Sequence, residues 1–122
     1  MTPSILVVDD DVGMAETLSD ILAAKRFDVT TTASGEGAIA EVNRHTFALV
    51  LMDIRMPGIN GVQALQSMRR DHPAIKVIMM TAFTRDELVE EARRASALAI
   101  VPKPLDLDFL LSLIDTVVGS PT

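Results

Sequence analysis

Five short runs of apolar and β-branched residues recur along this chain, and each is followed by a longer segment whose apolar residues repeat at helical spacing. The runs are Ile5–Val8, Val29–Thr32, Phe47–Met52, Lys76–Met80 and Ala99–Val101. Such alternation restricts the chain to βα units around a parallel sheet, because parallel neighbours need a crossover and the crossover is normally a helix. The runs "FALVLM" and "KVIMM" are apolar almost throughout, as expected of central strands covered on both faces. Apolar stripes at Leu18, Ile21 and Leu22, at Val62, Leu65 and Met68, and at Leu107, Leu111, Ile114 and Val118 place the first, third and fifth helices against the sheet. Leu110, Leu113 and Val117 form a second row on the fifth helix, either the flank of a wide core stripe or an exposed patch. Asp11 and Ser34 read as N-caps, "TRDE" at Thr84–Glu87 as a capping box, and Asp71-His72-Pro73 as the end of the third helix.

With 122 residues, 48% of them hydrophobic, and no shift in composition along its length, the whole chain 1–122 reads as one domain. Its formal net charge of −6 argues against direct nucleic-acid or anionic-membrane binding. The lack of cysteine excludes a disulfide framework and thiolate metal sites. No apolar run approaches the ~18 residues of a membrane span and no signal-peptide pattern is present, so a cytoplasmic location is expected. The tail "GSPT", Gly119–Thr122, reads as frayed or truncated.

Polar residues stand where the strands end. Asp9, Asp10 and Asp11 follow the first run, Asp53 the third, Thr81 the fourth and Lys103 the fifth. Ligands of open α/β sheets bind at that carboxyl edge, where strand order reverses. With order 2-1-3-4-5 the first and third strands are neighbours, so Asp9, Asp10 and Asp53 converge, while Thr81 and Lys103 approach from the other side. Crowded carboxylates repel one another unless a hard cation sits among them. The remaining candidate residues read as structural: Asp11 as a cap, His45 and His72 at helix ends, Gly58 and Gly61 as turn formers, the methionines as core filler. Pro104 marks a constrained, cis-capable bond after Lys103, and Pro102 removes a backbone donor, which suits an edge strand.

The segments "ILVVDDD", "LVLMDIRMPGINGV", "IMMTAF" and "VPKP", in this order and spacing, resemble the receiver domain of two-component response regulators over essentially the whole chain. The resemblance implies a flavodoxin-like (βα)5 doubly wound fold with helices on both faces of the sheet. It also implies a phosphorylation-activated switch rather than a turnover enzyme, fed by a sensor histidine kinase or phosphotransfer protein. Asp53 would be the phosphoacceptor, with Thr81 and Lys103 meeting the phosphoryl group. Mg²⁺ or Mn²⁺ would be held by Asp10, Asp53 and the backbone carbonyl of Arg55, whose side chain is free to vary, and Asp9 would act through bound waters. The fourth helix, fifth strand and fifth helix would meet an output domain or a second copy. One departure is Ile100, where receivers commonly carry a switching tyrosine or phenylalanine; Phe83 is the nearest aromatic able to share that packing change. A flavodoxin-like electron carrier would need a hydroxyl- and glycine-rich loop after the first strand and aromatics to stack a flavin, and this chain has no Trp or Tyr. A dehalogenase-type phosphatase would place its nucleophile after the first strand, and an atypical receiver acting only in binding would have lost a pocket residue.

Overall fold

Successive residues of a strand face opposite sides of a sheet, and this period of two accounts for the two cores of the molecule. The computed structural model describes residues 2–119, so positions 120–122 of the expected frayed tail lie outside the described residues. Ten elements alternate: β1 (Ser4–Val8), α1 (Val12–Ala24), β2 (Asp28–Thr32), α2 (Gly35–Arg44), β3 (Leu49–Asp53), α3 (Gly61–Asp71), β4 (Val77–Thr81), α4 (Glu87–Arg94), β5 (Ala99–Pro102) and α5 (Leu107–Val118). The strands form one parallel sheet in the order β2-β1-β3-β4-β5, as expected.

Leu6, Val8, Val50, Met52, Val77 and Met79 point to one face, where α2, α3 and α4 cover them through Ala38, Val42, Val62, Leu65, Met68, Leu88, Val89 and Ala92. Ile5, Val7, Leu49, Leu51, Ile78, Met80 and Val101 point to the other, beneath Ala15, Leu18 and Leu22 of α1 and Leu110 and Ile114 of α5. β3 and β4 are buried along their whole length. At about 1.5–3 kcal/mol per large apolar side chain removed from water, they form a stiff base for whatever their ends carry. β5 is an edge strand, with Pro102 at its end.

Asp11 caps α1 by accepting from Met14 N at 3.1 Å, and Ser34 caps α2 by accepting from Gly37 N at 3.0 Å. His45 and His72 are the C-terminal caps of α2 and α3. Two expectations need correction. The N-cap of α4 is Asp86, which accepts from Leu88 N at 3.0 Å, so the box at Thr84–Glu87 does not form. On α5 the buried positions are Leu110 and Ile114, while Leu107 is 38% exposed and Leu111 is half-buried. This helix is apolar nearly all round, so helical spacing alone does not select its buried row. Leu110 belongs to the core and leaves the candidate patch, and Leu113 and Val117 pack at the core margin.

Candidate functional site

Strand register sets the site. Val8 pairs with Met52, so Asp9 and Asp53 each follow a paired residue on adjacent strands. Asp53 pairs with Met80 and Thr81 with Pro102, which brings Thr81 and Lys103 to the opposite side of Asp53. Asp53 and Thr81 are the last residues of β3 and β4 rather than the first beyond them.

Four of the five expected side chains, those of Asp9, Asp10, Asp53 and Lys103, meet at this edge, and strand register sets Thr81 beside them. One carboxylate oxygen from each of Asp9, Asp10 and Asp53 lies within 4.8 Å of the other two. Lys103 Nζ donates to Asp9 Oδ2 at 2.8 Å and to Asp53 Oδ2 at 3.0 Å. Asp9 is buried and its Oδ1 accepts from Asp11 N at 3.0 Å, whereas Asp10 is exposed. Thr81, also buried, accepts from Phe83 N at 2.9 Å through its hydroxyl oxygen, which leaves the hydroxyl proton for another acceptor. Lys103 is held from its own backbone, its N–H donating to Thr81 O at 2.7 Å, and the Lys103–Pro104 bond is cis.

Burial pushes the Asp53 carboxyl above the ordinary carboxylate range; the Lys103 ammonium opposes this, and the charges of Asp9 and Asp10 add to it. For Lys103, burial works against the charged form, but hydrogen bonds to Asp9 and Asp53 outweigh it and hold the ammonium above its usual pKa. Three carboxylates thus gather around one lysine, leaving an excess of negative charge. Hard oxygen donors at this spacing, one of them open to solvent, fit a divalent cation of the Mg²⁺ class.

The segment after Asp53 is tightly fixed. Ile54 N donates to Met80 O at 3.0 Å and Gly61 N donates to Ile54 O at 2.7 Å. A Cβ on Gly61 would stand 2.5 Å from the Asp53 carbonyl oxygen, so only glycine lets α3 start against the end of β3. Gly58 makes the intervening turn at φ +80°. Asn60 and Gln63 form a capping box on α3, signalled in the sequence by Asn-x-x-Gln but hidden within the turn formers of "MPGING".

Sequence reasoning missed two arginines. Arg55 is not idle: its Nε donates to Asp86 Oδ2 at 2.6 Å and its Nη2 to Asp86 Oδ1 at 2.9 Å. Arg69 of α3 donates through Nη1 to the carbonyls of Ala95 and Ser96, at 2.6 and 3.0 Å, and through Nη2 to Ile75 O at 2.7 Å. Phe83 is 62% exposed, while Ile100 is half-buried against the face covered by α2, α3 and α4. Among the described residues no helix is long and apolar enough to cross a membrane.

Residues 5–115 match the family model of the response regulator receiver domain. Transcriptional regulatory protein ZraR of Salmonella typhimurium is 42% identical over 106 residues, which cover 87% of this chain and 24% of ZraR. The chain thus spans about a quarter of the length of that relative. Among solved structures, response regulator TrrA of Thermotoga maritima, in complex with Mg²⁺ and BeF, superposes with a TM-score of 0.86 at 28% identity, over 95% of this chain and 99% of TrrA. A CheY-like receiver domain protein of Methanospirillum hungatei superposes with a TM-score of 0.91 at 28% identity, over 95% of this chain and 93% of the other.

Proposed function

The chain belongs to the response regulator receiver domain family, and on that premise we propose that Asp53 accepts a phosphoryl group from a phosphohistidine donor and that the whole of 1–122 is the receiver unit. Receiver domains of two-component regulators are phosphorylated on an aspartate and switch an output activity; they are signalling switches rather than classical enzymes. The observation that carries the assignment is the convergence of Asp9, Asp10 and Asp53 within 4.8 Å with Lys103 bridging two of them.

In the proposed transfer an Asp53 carboxylate oxygen attacks phosphorus while the P–N bond to the donor histidine breaks, giving an acyl phosphate. Asp10, Asp53 and the Arg55 carbonyl would hold a divalent cation, Mg²⁺ or Mn²⁺, with Asp9 acting through bound waters. When bound, that ion supplies the positive charge that lets an anionic nucleophile approach an anionic phosphoryl group. Lys103, already against Asp53, moves its ammonium onto a phosphoryl oxygen, and Thr81 donates its hydroxyl proton to another. The domain assists its own phosphorylation and hydrolysis but does not turn over a substrate. The phosphodonor is a sensor histidine kinase or phosphotransfer protein in the cytoplasm. The output partner, a further domain or a second copy, meets the face made by α4, β5 and α5, where Leu98 is exposed.

Intact-mass spectrometry after incubation with acetyl phosphate tests the reading. The wild type gains one phosphoryl group only with Mg²⁺ present, Asp10→Ala gains far less, and Asp53→Asn gains none. An undiminished adduct on Asp53→Asn would overturn the assignment.

A further inference from the structure

Arg55 stands two residues beyond Asp53, yet its guanidinium is committed to a residue of another element. Asp86 accepts both of its donors, at 2.6 and 2.9 Å, and its side chain is only 8% exposed. The same carboxylate caps α4, since Oδ1 also accepts from Leu88 N at 3.0 Å. A bidentate guanidinium–carboxylate pair fixes orientation as well as distance. Arg55 is therefore held from both sides: through the chain by Ile54, whose N–H and C=O are bonded to Met80 and Gly61, and through its side chain by Asp86. The far end of α4 is tied separately, because Arg69 donates to the carbonyls of Ala95 and Ser96 just beyond the helix. α4 is thus anchored at its C-terminal end by α3 and clasped at its N-terminal end to the loop that follows Asp53.

We propose that Asp86 is a positioning residue for the divalent-cation site, holding the Arg55 carbonyl in place through the Arg55–Asp86 clasp, and that occupancy of the site is felt in return at the first turn of α4. The inference rests on the proposed function, because it takes the Arg55 carbonyl as a ligand. Coupling between two sites is reciprocal: if the clasp improves cation binding, the cation tightens the clasp and with it the cap of α4. The anchor at Arg69 confines that response to the N-terminal turn. Ile100 occupies the position of the usual switching aromatic, and the clasp gives this chain a polar route from the site to α4 that does not pass through it.

The test is Mg²⁺ titration by NMR of the wild type, Arg55→Ala, Asp86→Ser and the double variant, with amide exchange at Leu88 and Val89 measured with and without Mg²⁺. Serine retains an N-cap oxygen but does not reach Arg55, and Arg55→Ala leaves the cap untouched, so a folding defect in one variant does not decide the result. Each single variant should weaken Mg²⁺ binding roughly tenfold, the scale on which partners of metal ligands act. The double variant should be no weaker than the worse single one, because both remove one interaction. Mg²⁺ should slow exchange at Leu88 and Val89 in the wild type and leave it unchanged in the variants. Wild-type Mg²⁺ affinity in both single variants, or wild-type exchange indifferent to Mg²⁺, overturns the clasp while leaving the proposed function standing. Failure of the wild type to bind Mg²⁺ overturns both.

Discussion

Replacing Asp53 by asparagine should make the metal-free protein more stable, although it removes the proposed reactive group. Two carboxylates lie within 4.8 Å of Asp53 and one ammonium at 3.0 Å. At an effective dielectric constant of ~20, each charge at that outer distance repels by about 3.5 kcal/mol and the ammonium attracts by about 5.5 kcal/mol. The exposed Asp10 is screened by solvent and acts at roughly half strength, so repulsion and attraction cancel to within about 1 kcal/mol. What remains is the cost of burying a carboxylate whose side chain is 11% exposed, which an amide of the same shape largely avoids. A gain of about 1–2 kcal/mol is expected, equivalent to roughly 3–8 °C in Tm for a domain of this size. Thermal unfolding followed by circular dichroism in EDTA measures it. Because the folded-state pKa of Asp53 is raised, its carboxyl favours folding below the unfolded value of about 4, and that contribution is lost as pH rises through the folded value. The advantage of Asp53→Asn should therefore be complete at neutral pH and fade towards pH 4. Mg²⁺ at ten times its dissociation constant should stabilise the wild type by about 1.4 kcal/mol and the variant by less, closing the gap. An Asp53→Asn protein no more stable than the wild type in EDTA at pH 7.5 would refute the reasoning.

Lys103→Ala should cost about 3 kcal/mol in EDTA by leaving the buried Asp9 unpaired, with much of the loss recovered on adding Mg²⁺; equal losses with and without the ion would contradict this. Gly61→Ala should lower stability in urea unfolding and weaken phosphorylation by acetyl phosphate, because its Cβ meets the Asp53 carbonyl at 2.5 Å. Ser96→Gly should stabilise by about 0.5 kcal/mol: Ser96 ends α4 at φ +65°, where a side chain costs ~1–2 kcal/mol and glycine loses part of that gain to chain entropy. An unchanged urea midpoint would count against that account.

The sheet was legible because period-two alternation and strand-end punctuation agree. Asp9, Asp53, Thr81 and Lys103 each sit at a junction between an apolar run and a turn, and a parallel sheet leaves those junctions no other place than one edge. Side-chain pairing across long separations was not legible. Nothing near Arg55 announces Asp86, 31 residues away, and nothing near Arg69 announces the carbonyls at the end of α4. The misplaced cap of α4 has the same origin. Thr84 and Asp86 are both acceptable N-caps by local chemistry, and Asp86, which caps the helix, is also the one paired with Arg55. The phase of α5 failed for another reason: Leu107, Phe109, Leu110, Leu111, Leu113, Ile114, Val117 and Val118 are apolar nearly all round the helix, so spacing alone does not select the buried row.

The claim that Asp53 receives the phosphoryl group is tested most directly by chemical trapping. Protein treated with acetyl phosphate and Mg²⁺ is reduced with borohydride, which converts an aspartyl phosphate to homoserine, and the modified position is then read by peptide sequencing in the mass spectrometer. The account predicts homoserine at position 53 and at neither position 9 nor position 10, and none at all when EDTA replaces Mg²⁺. Homoserine at Asp9 or Asp10 with Asp53 intact, or a phosphoryl adduct that resists reduction, would contradict it.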